Sequence, residues 1–223
     1  MSRGISNLEE IIERIAAKRF ILLDLDNTIY AYDPCHESGQ QAAWEVFHQD
    51  IDAKVEREEF VAAVDAARQD VKGRLSGTAA CHSRLLYFQG ALEVLAPKHP
   101  VVLALDLEAA YWDGYLDAIE PADWVPGFFD HCRREGKKVA IVSNLTTQIQ
   151  MRKLRELEIE DRVDCLVTSE EFGAEKPDPG IFAYALRKLG GHDAEAILIG
   201  DDPQSDASAS ITVLLCDARG PLR

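Results

Sequence analysis

Five short runs rich in Val, Ile and Leu punctuate this 223-residue chain: Phe20–Asp24, Lys138–Ser143, Val163–Thr168, Ala196–Gly200 and Ile211–Cys216. They show little alternation between apolar and polar residues, as strands do when both faces of a parallel sheet are covered. Helix-like stretches separate the later runs. Phe128–Arg134, stopped by Gly136, precedes the second run, and Thr147–Leu157 follows it; Pro179–Leu189, with Asp178 as its cap, precedes the fourth. Strands alternating with helices predict an α/β fold with a doubly wound parallel sheet.

One interval breaks the alternation. Between the first and second runs, Gln40–Gln49, Glu56–Lys72, Ser83–Leu95 and Leu105–Asp117 all read as helices. Four helices with short connections suggest a bundle. The expected organisation is an α/β core made of residues 1–32 and 120–223, with residues 33–119 inserted as a helical domain. An insertion at that point belongs at the carboxyl ends of the strands, the edge where open α/β sheets bind ligands. At the N-terminus, Ile11, Ile12 and Ile15 sit at helical spacing, with Ser6 or Asn7 as caps, and predict a short helix against the core. Acids among those apolar residues argue against a signal peptide.

Composition narrows the function classes. A hydrophobic content of 47% permits a substantial core, and the net charge is −15. Nucleic acid and anionic membrane surfaces call for a basic footprint, so neither is expected as a partner. A small anion remains compatible, because a local Lys or Arg overrides the global field over a few ångströms. Cys35, Cys81, Cys132, Cys165 and Cys216 are widely spaced and form no CxxC pair, suggesting neither a disulfide framework nor a zinc site. A reducing, cytoplasmic setting is the simplest expectation. No apolar run approaches the length of a membrane span. The oligomeric state, monomer or homodimer, is open.

Each proposed strand that could carry chemistry ends in polar residues. The first runs into Asp24 and Asp26, followed by Asn27 and Thr28. Carboxylates beside a hydrophobic core cost free energy unless a cation or proton offsets them, so this is either a solvated turn or a place for a metal or substrate. The other loci are Ser143-Asn144 in VAIVSN, Lys176-Pro177 in GAEKPDPGIF, and Asp201, Asp202 and Asp206 in ILIGDDPQSD. Alone, each is an ordinary turn, cap, loop opening or surface stretch. Together they would meet, because strand ends in one parallel sheet are neighbours. The resulting crevice would hold several carboxylates, one ammonium and two small hydrogen-bonding side chains. Hard oxygen ligands in that number favour Mg²⁺.

The order DLDNT, VSN, EKPDPGIF and GDDxxxD resembles the four signature motifs of the haloacid dehalogenase superfamily of phosphohydrolases, and the helical insertion resembles the C1 cap of its subfamily I. The resemblance spans roughly Phe20 to Leu215. It implies a Rossmann-like core and a set of roles. Asp24 would be the nucleophile that forms an aspartyl-phosphate, and Asp26 the general acid and then base, its carbonyl also reaching the metal. Ser143 and the amide of Asn144 would bind phosphate oxygens. Lys176 would neutralise charge. Asp201 would ligate Mg²⁺, with Asp202 or Asp206 in support. A second acid two residues after the nucleophile separates the phosphatases from the dehalogenases. The implied activity is a Mg²⁺-dependent phosphatase acting on a small phosphorylated metabolite, a nucleoside monophosphate or a sugar phosphate. A phosphomutase and a non-catalytic regulatory or binding protein are the alternatives.

Candidates for contact with the leaving group are Tyr32, Trp44, Lys72, Arg74, His82, Arg84 and Tyr87. For Trp44 and Tyr87 core packing is the better reading, and for Arg84 a surface or salt-bridged role. Tyr111, Trp112, Tyr115 and Trp124 are expected to pack the hinge between the cap and the core. One departure from the family pattern stands out: after Asp206 the text DASASITVLLC is short, leaving a single helical turn or none before the last strand.

Overall fold

The computed structural model describes residues 3–207 and 210–221. The chain divides into two compact units, one of residues 1–32 with 120–223 and the other of residues 33–119.

The α/β unit starts with α1 (Arg3–Ile15) and β1 (Phe20–Leu23). The chain leaves this unit through α2 (Tyr32–Asp50), α3 (Arg57–Arg74), α4 (Arg84–Leu95) and α5 (Ala104–Asp117). It returns as α6 (Val125–Arg134), β2 (Lys138–Ser143), α7 (Thr147–Glu156), β3 (Cys165–Thr168), α8 (Ser169–Phe172), α9 (Pro179–Leu189), β4 (Ala196–Gly200), β5 (Thr212–Asp217) and β6 (Gly220–Pro221). The sheet order is β3-β2-β1-β4-β5-β6. The first five strands are parallel, and β6 runs antiparallel to β5.

β1 lies between β2 and β4, with Leu23 level with Ile141 on one side and Ile199 on the other. All four residues of β1 are buried. On one face, Phe20, Leu22, Val142, Val167 and Leu198 pack against Ile181, Phe182, Ala185 and Leu186 of α9. Full burial of each such side chain contributes roughly 1.5–3 kcal/mol. α9 is held at both ends. The Asp178 carboxylate accepts from the Gly180 amide, and Pro179 occupies the first turn, where its missing N–H leaves no bond unmade. α6 stops as expected, with Gly136 at a φ of 65° just past its end.

Several expectations shift. β1 ends at Leu23, β3 starts at Cys165, and β5 runs to Asp217. α1 begins at Arg3, so Ser6 and Asn7 lie inside it and are not caps; Asn7 instead donates a hydrogen bond to the Arg219 carbonyl. β6 is too short to leave a sequence pattern. Of the short segment after Asp206, residues 208–209 lie outside the described residues; the described positions from 206 to 211 carry no helix.

In the helical unit, α2 starts well ahead of Gln40. Pro34 and Gly39 make that stretch read as loop, but proline in a first turn removes no intrahelical hydrogen bond. Ser83 caps α4 by accepting from the Leu86 amide. Aromatic rings run through the core: Phe47 on Phe60, Phe60 on Phe88, Phe88 on Tyr111, then Trp112 and Tyr115, with centroids 5.0–6.3 Å apart. Arg84 is buried, contrary to the surface reading. Its guanidinium lies 5.3–5.4 Å from the ring centres of Tyr87, Tyr111 and Trp112, an arrangement stabilised by ring quadrupoles. Tyr87 is core, as expected, and Trp44 is half-buried against His48. Trp124 belongs to the α/β unit, where it meets Phe128 edge to face.

Candidate active site

β1 delivers Asp24 to its carboxyl end, and the Asp24 amide continues the ladder by donating to the Ile199 carbonyl at 2.8 Å. A tight turn follows, closed by the Ile29 amide on the Leu25 carbonyl. Asn27 takes a left-handed φ of 64°, a conformation asparagine tolerates better than most residues. Its side chain accepts from the Tyr32 amide and its carbonyl from the Ala218 amide. This turn sets Thr28 against the nucleophile candidate: its hydroxyl donates to Asp24 Oδ2 at 2.8 Å and lies 3.4 Å from Asp201 Oδ1.

The segments that follow β2, β3 and β4 supply the rest. Lys176, buried, places Nζ 2.5 Å from Asp24 Oδ1 and 2.7 Å from Asp206 Oδ1. The other Asp206 oxygen accepts from the Asp202 amide. Gly200, at the end of β4, makes room for this carboxylate, since a Cβ there would stand 2.1 Å from Asp206 Oδ2. Asn144 clamps the lysine backbone: its Oδ1 accepts from the Lys176 amide at 2.8 Å and its Nδ2 donates to the Lys176 carbonyl at 3.2 Å.

The electrostatics follow from three carboxylates around one ammonium. Burial pushes Asp24 up to about 7; Lys176 pulls it back, and the Asp206 and Asp26 charges add to the rise. Burial and the Asp206 charge likewise raise Asp201 to about 6. Burial alone would lower Lys176, but Asp24 and Asp206 outweigh it, so the ammonium stays charged. One carboxylate oxygen from each of Asp24, Asp201 and Asp206 lies within 4.8 Å of the other two. Hard oxygen donors carrying excess negative charge fit a divalent cation of the Mg²⁺ kind.

The sequence-derived set does not converge completely. Asp24, Lys176, Asp201 and Asp206 meet. The Asp202 carboxylate instead organises its own turn, accepting from the Gln204 amide and the Ser205 hydroxyl, and the Gln204 contact lowers its pKa. The Asp26 carboxylate has its own set of donors. It accepts from Lys153 Nζ at 2.5 Å, from Gln150 Nε2 at 3.1 Å and from the Tyr30 hydroxyl. Burial would raise Asp26, but Lys153 and these donors hold it down at about 2. Ser143 is buried and accepts from Gln150 Nε2 at 2.6 Å.

Tyr30, Gln150 and Lys153 escaped the sequence reading, and Thr28, named in the first locus, had no role there. For Gln150 and Lys153 a signal existed. Ile149, Gln150, Lys153, Leu154 and Leu157 form a buried stripe at helical spacing, so two polar residues lie on the face turned to the core. The cysteines are free thiols, and burial pushes Cys132 and Cys216 up to about 12, leaving them poor nucleophiles. Among the described residues no helix is long and apolar enough to cross a membrane.

Comparison with known proteins agrees with this architecture. Residues 18–211 match the family model of haloacid dehalogenase-like hydrolases. The chain is 38% identical over 193 residues to the ribulose-1,5-bisphosphate 5-phosphatase of Halopiger xanaduensis, covering 86% of this chain and 80% of the relative. It is 28% identical over 186 residues to the glyceraldehyde 3-phosphate phosphatase of Methanopyrus kandleri, covering 83% and 76%. Among solved structures it is similar in fold to the HAD-hydrolase YfnB of Bacillus subtilis, solved bound to magnesium, with a TM-score of 0.62, 18% identity and coverage of 85% and 82%. The parallel sheet flanked by helices makes this an α/β protein, and the family model identifies it as a hydrolase. The chain belongs to the haloacid dehalogenase-like hydrolases.

Proposed function

We propose that the chain is a Mg²⁺-dependent phosphatase that hydrolyses a small sugar phosphate through a covalent intermediate on Asp24. The observation that carries this reading is the contact of Lys176 with both Asp24 and Asp206, with Asp201 alongside. Phosphoryl transfer depends mainly on positioning and charge neutralisation, and this cluster supplies both. Support for a sugar phosphate comes from the two relatives named as phosphatases of ribulose bisphosphate and glyceraldehyde phosphate. The earlier nucleoside monophosphate alternative is weaker on that ground.

In this reading an Asp24 oxygen bonds to phosphorus as the bond to the leaving oxygen breaks. Ser143 and Lys176 hold the phosphoryl oxygens. Asp26 hands its proton to the leaving alkoxide. The substrate's negative charge raises the proton affinity of Asp26, so proton and ester are taken up together. Water then attacks phosphorus and gives a proton to Asp26; the Asp24–phosphorus linkage opens and inorganic phosphate leaves. Mg²⁺ held by Asp24, Asp201, Asp206 and the Asp26 carbonyl would neutralise charge on the phosphoryl oxygens. Within the same reading the helical unit is a cap that selects among phosphate esters.

The test is phosphate release from a panel of sugar phosphates, sugar bisphosphates, triose phosphates and nucleoside monophosphates, with Mg²⁺ and with chelator. Turnover concentrated among the sugar and triose phosphates, and abolished by chelator, is expected. Preference for nucleotides would overturn the substrate class, and chelator-insensitive turnover would overturn the metal.

A further inference from the structure

We infer that Lys153 and Gln150 of α7 are positioning residues that aim Asp26 at the leaving group, an inference that rests on the phosphatase reading above. Neither belongs to the four sequence loci, and both are buried, with 1% and 0% of their surface exposed. An ammonium and an amide nitrogen can only donate. Lys153 Nζ donates to Asp26 Oδ1 at 2.5 Å and Gln150 Nε2 to Asp26 Oδ2 at 3.1 Å, so each carboxylate oxygen has its own tether. The Tyr30 hydroxyl adds a second donor on Oδ1.

The tether answers a physical difficulty. Asp26 sits two residues from Asp24, beside a group of oxygens suited to a divalent cation. An untethered carboxylate there would be drawn toward that cation and lost as a proton carrier. A buried ammonium paired with a carboxylate contributes little net stability and is better suited to fixing orientation. Gln150 links this to phosphate binding. Its Nε2 also donates to Ser143 Oγ at 2.6 Å, which occupies a serine lone pair and leaves the hydroxyl proton for a phosphate oxygen. The amide cannot turn over, because that would set Oε1 against the Asp26 carboxylate. Among the described residues Gln150 Oε1 has no hydrogen-bond partner, as expected if its two acceptors dictate its orientation. One helix thus aims both the proton carrier and the phosphate-binding hydroxyl.

The test compares an aryl phosphate with an alkyl phosphate, p-nitrophenyl phosphate and glycerol phosphate, in the presence of Mg²⁺. A nitrophenolate leaves without a proton, whereas an alkoxide needs one. General acid catalysis contributes about 10²–10⁴-fold, so Lys153→Met should lower kcat/KM, which reports the steps through loss of the alcohol and not the shared hydrolysis of the Asp24 intermediate, by about 10²-fold or more on the alkyl ester and by less than about fivefold on the aryl ester. Gln150→Met should move the ratio the same way by a smaller factor. In an Asp26→Asn background, adding Lys153→Met should move the ratio no further. The ratio is measured within one preparation, so it does not depend on the fraction folded, and Gln150→Met carries the test if Lys153→Met does not fold. Equal loss on both esters, or a ratio that still moves in the Asp26→Asn background, overturns the inference. A wild-type enzyme inert toward both esters overturns the phosphatase reading itself.

Discussion

Lys176 meets two carboxylates through one buried ammonium, so its removal should be felt twice. Lys176→Met leaves Asp24 and Asp206 facing each other without the intervening charge. Breaking a buried pair in this way costs about 3–5 kcal/mol, so the melting temperature should drop in Mg²⁺-free buffer. Added Mg²⁺ should restore part of that stability but not the activity, which depends on the ammonium itself. Gly200 offers a quieter test of the same cluster. A methyl group there would push into Asp206, so Gly200→Ala should weaken Mg²⁺ binding about 10–100-fold in a calorimetric titration while the fold persists. At this scale Asp24, Lys176, Asp201 and Asp206 were legible, because motifs at strand ends imply convergence. Lys153, Gln150 and Thr28 were not. The spacing of α7 marks Gln150 and Lys153 as polar residues on a buried face, but the partners of all three arise from side-chain reach across elements, which spacing along the chain does not encode. Of the alternatives Asp202 and Asp206, it is the Asp206 carboxylate that joins Asp24 and Asp201, a choice the sequence left open because a turn-forming acid and a metal-ligating acid look alike.

At the scale of elements, periodicity located every strand of the parallel sheet. It missed the start of α2, where Pro34 and Gly39 mimic a loop, and it missed β6, which is two residues long. α2 also carries a titratable group with a consequence for stability. Burial, with the charges of Arg84 and Arg68, lowers His36 from 6.5 to about 4. Its Nδ1 lies 2.7 Å from the Tyr111 hydroxyl, which a neutral imidazole can accept. Between about pH 6.5 and 4 the unfolded chain binds the extra proton at this site. The contribution of neutral His36 is therefore complete above pH 6.5 and fades as pH falls toward 4. Melting temperatures at pH 7 and pH 5 should differ less in His36→Gln than in the wild type. α9 gives an independent check on local structure. Asp178→Ala removes its N-terminal cap and should cost about 1 kcal/mol, read as a lowered denaturation midpoint.

For the whole molecule, the net charge of −15 poorly describes the site, where a single buried lysine and a divalent cation set the local field. The interruption of strand–helix alternation after β1 was the sequence's clearest statement about organisation, and the chain does divide into two compact units there. What selects the ester was not legible, because pocket shape and polar contacts decide specificity and neither has a sequence period. Binding of Mg²⁺ to the native state alone should stabilise the protein by about 2.7 kcal/mol at one hundred times the dissociation constant, seen as a raised melting temperature that Asp201→Asn largely removes. Covalent catalysis by Asp24 is tested most directly by the steady-state rate of phosphate release with Mg²⁺ by the wild type and by Asp24→Asn, each on the best ester of the panel. The wild type should turn over measurably and the variant should lose at least about 10³-fold, because the carboxylate that accepts the phosphoryl group is gone. A variant that keeps a rate close to wild type would contradict covalent catalysis by that residue.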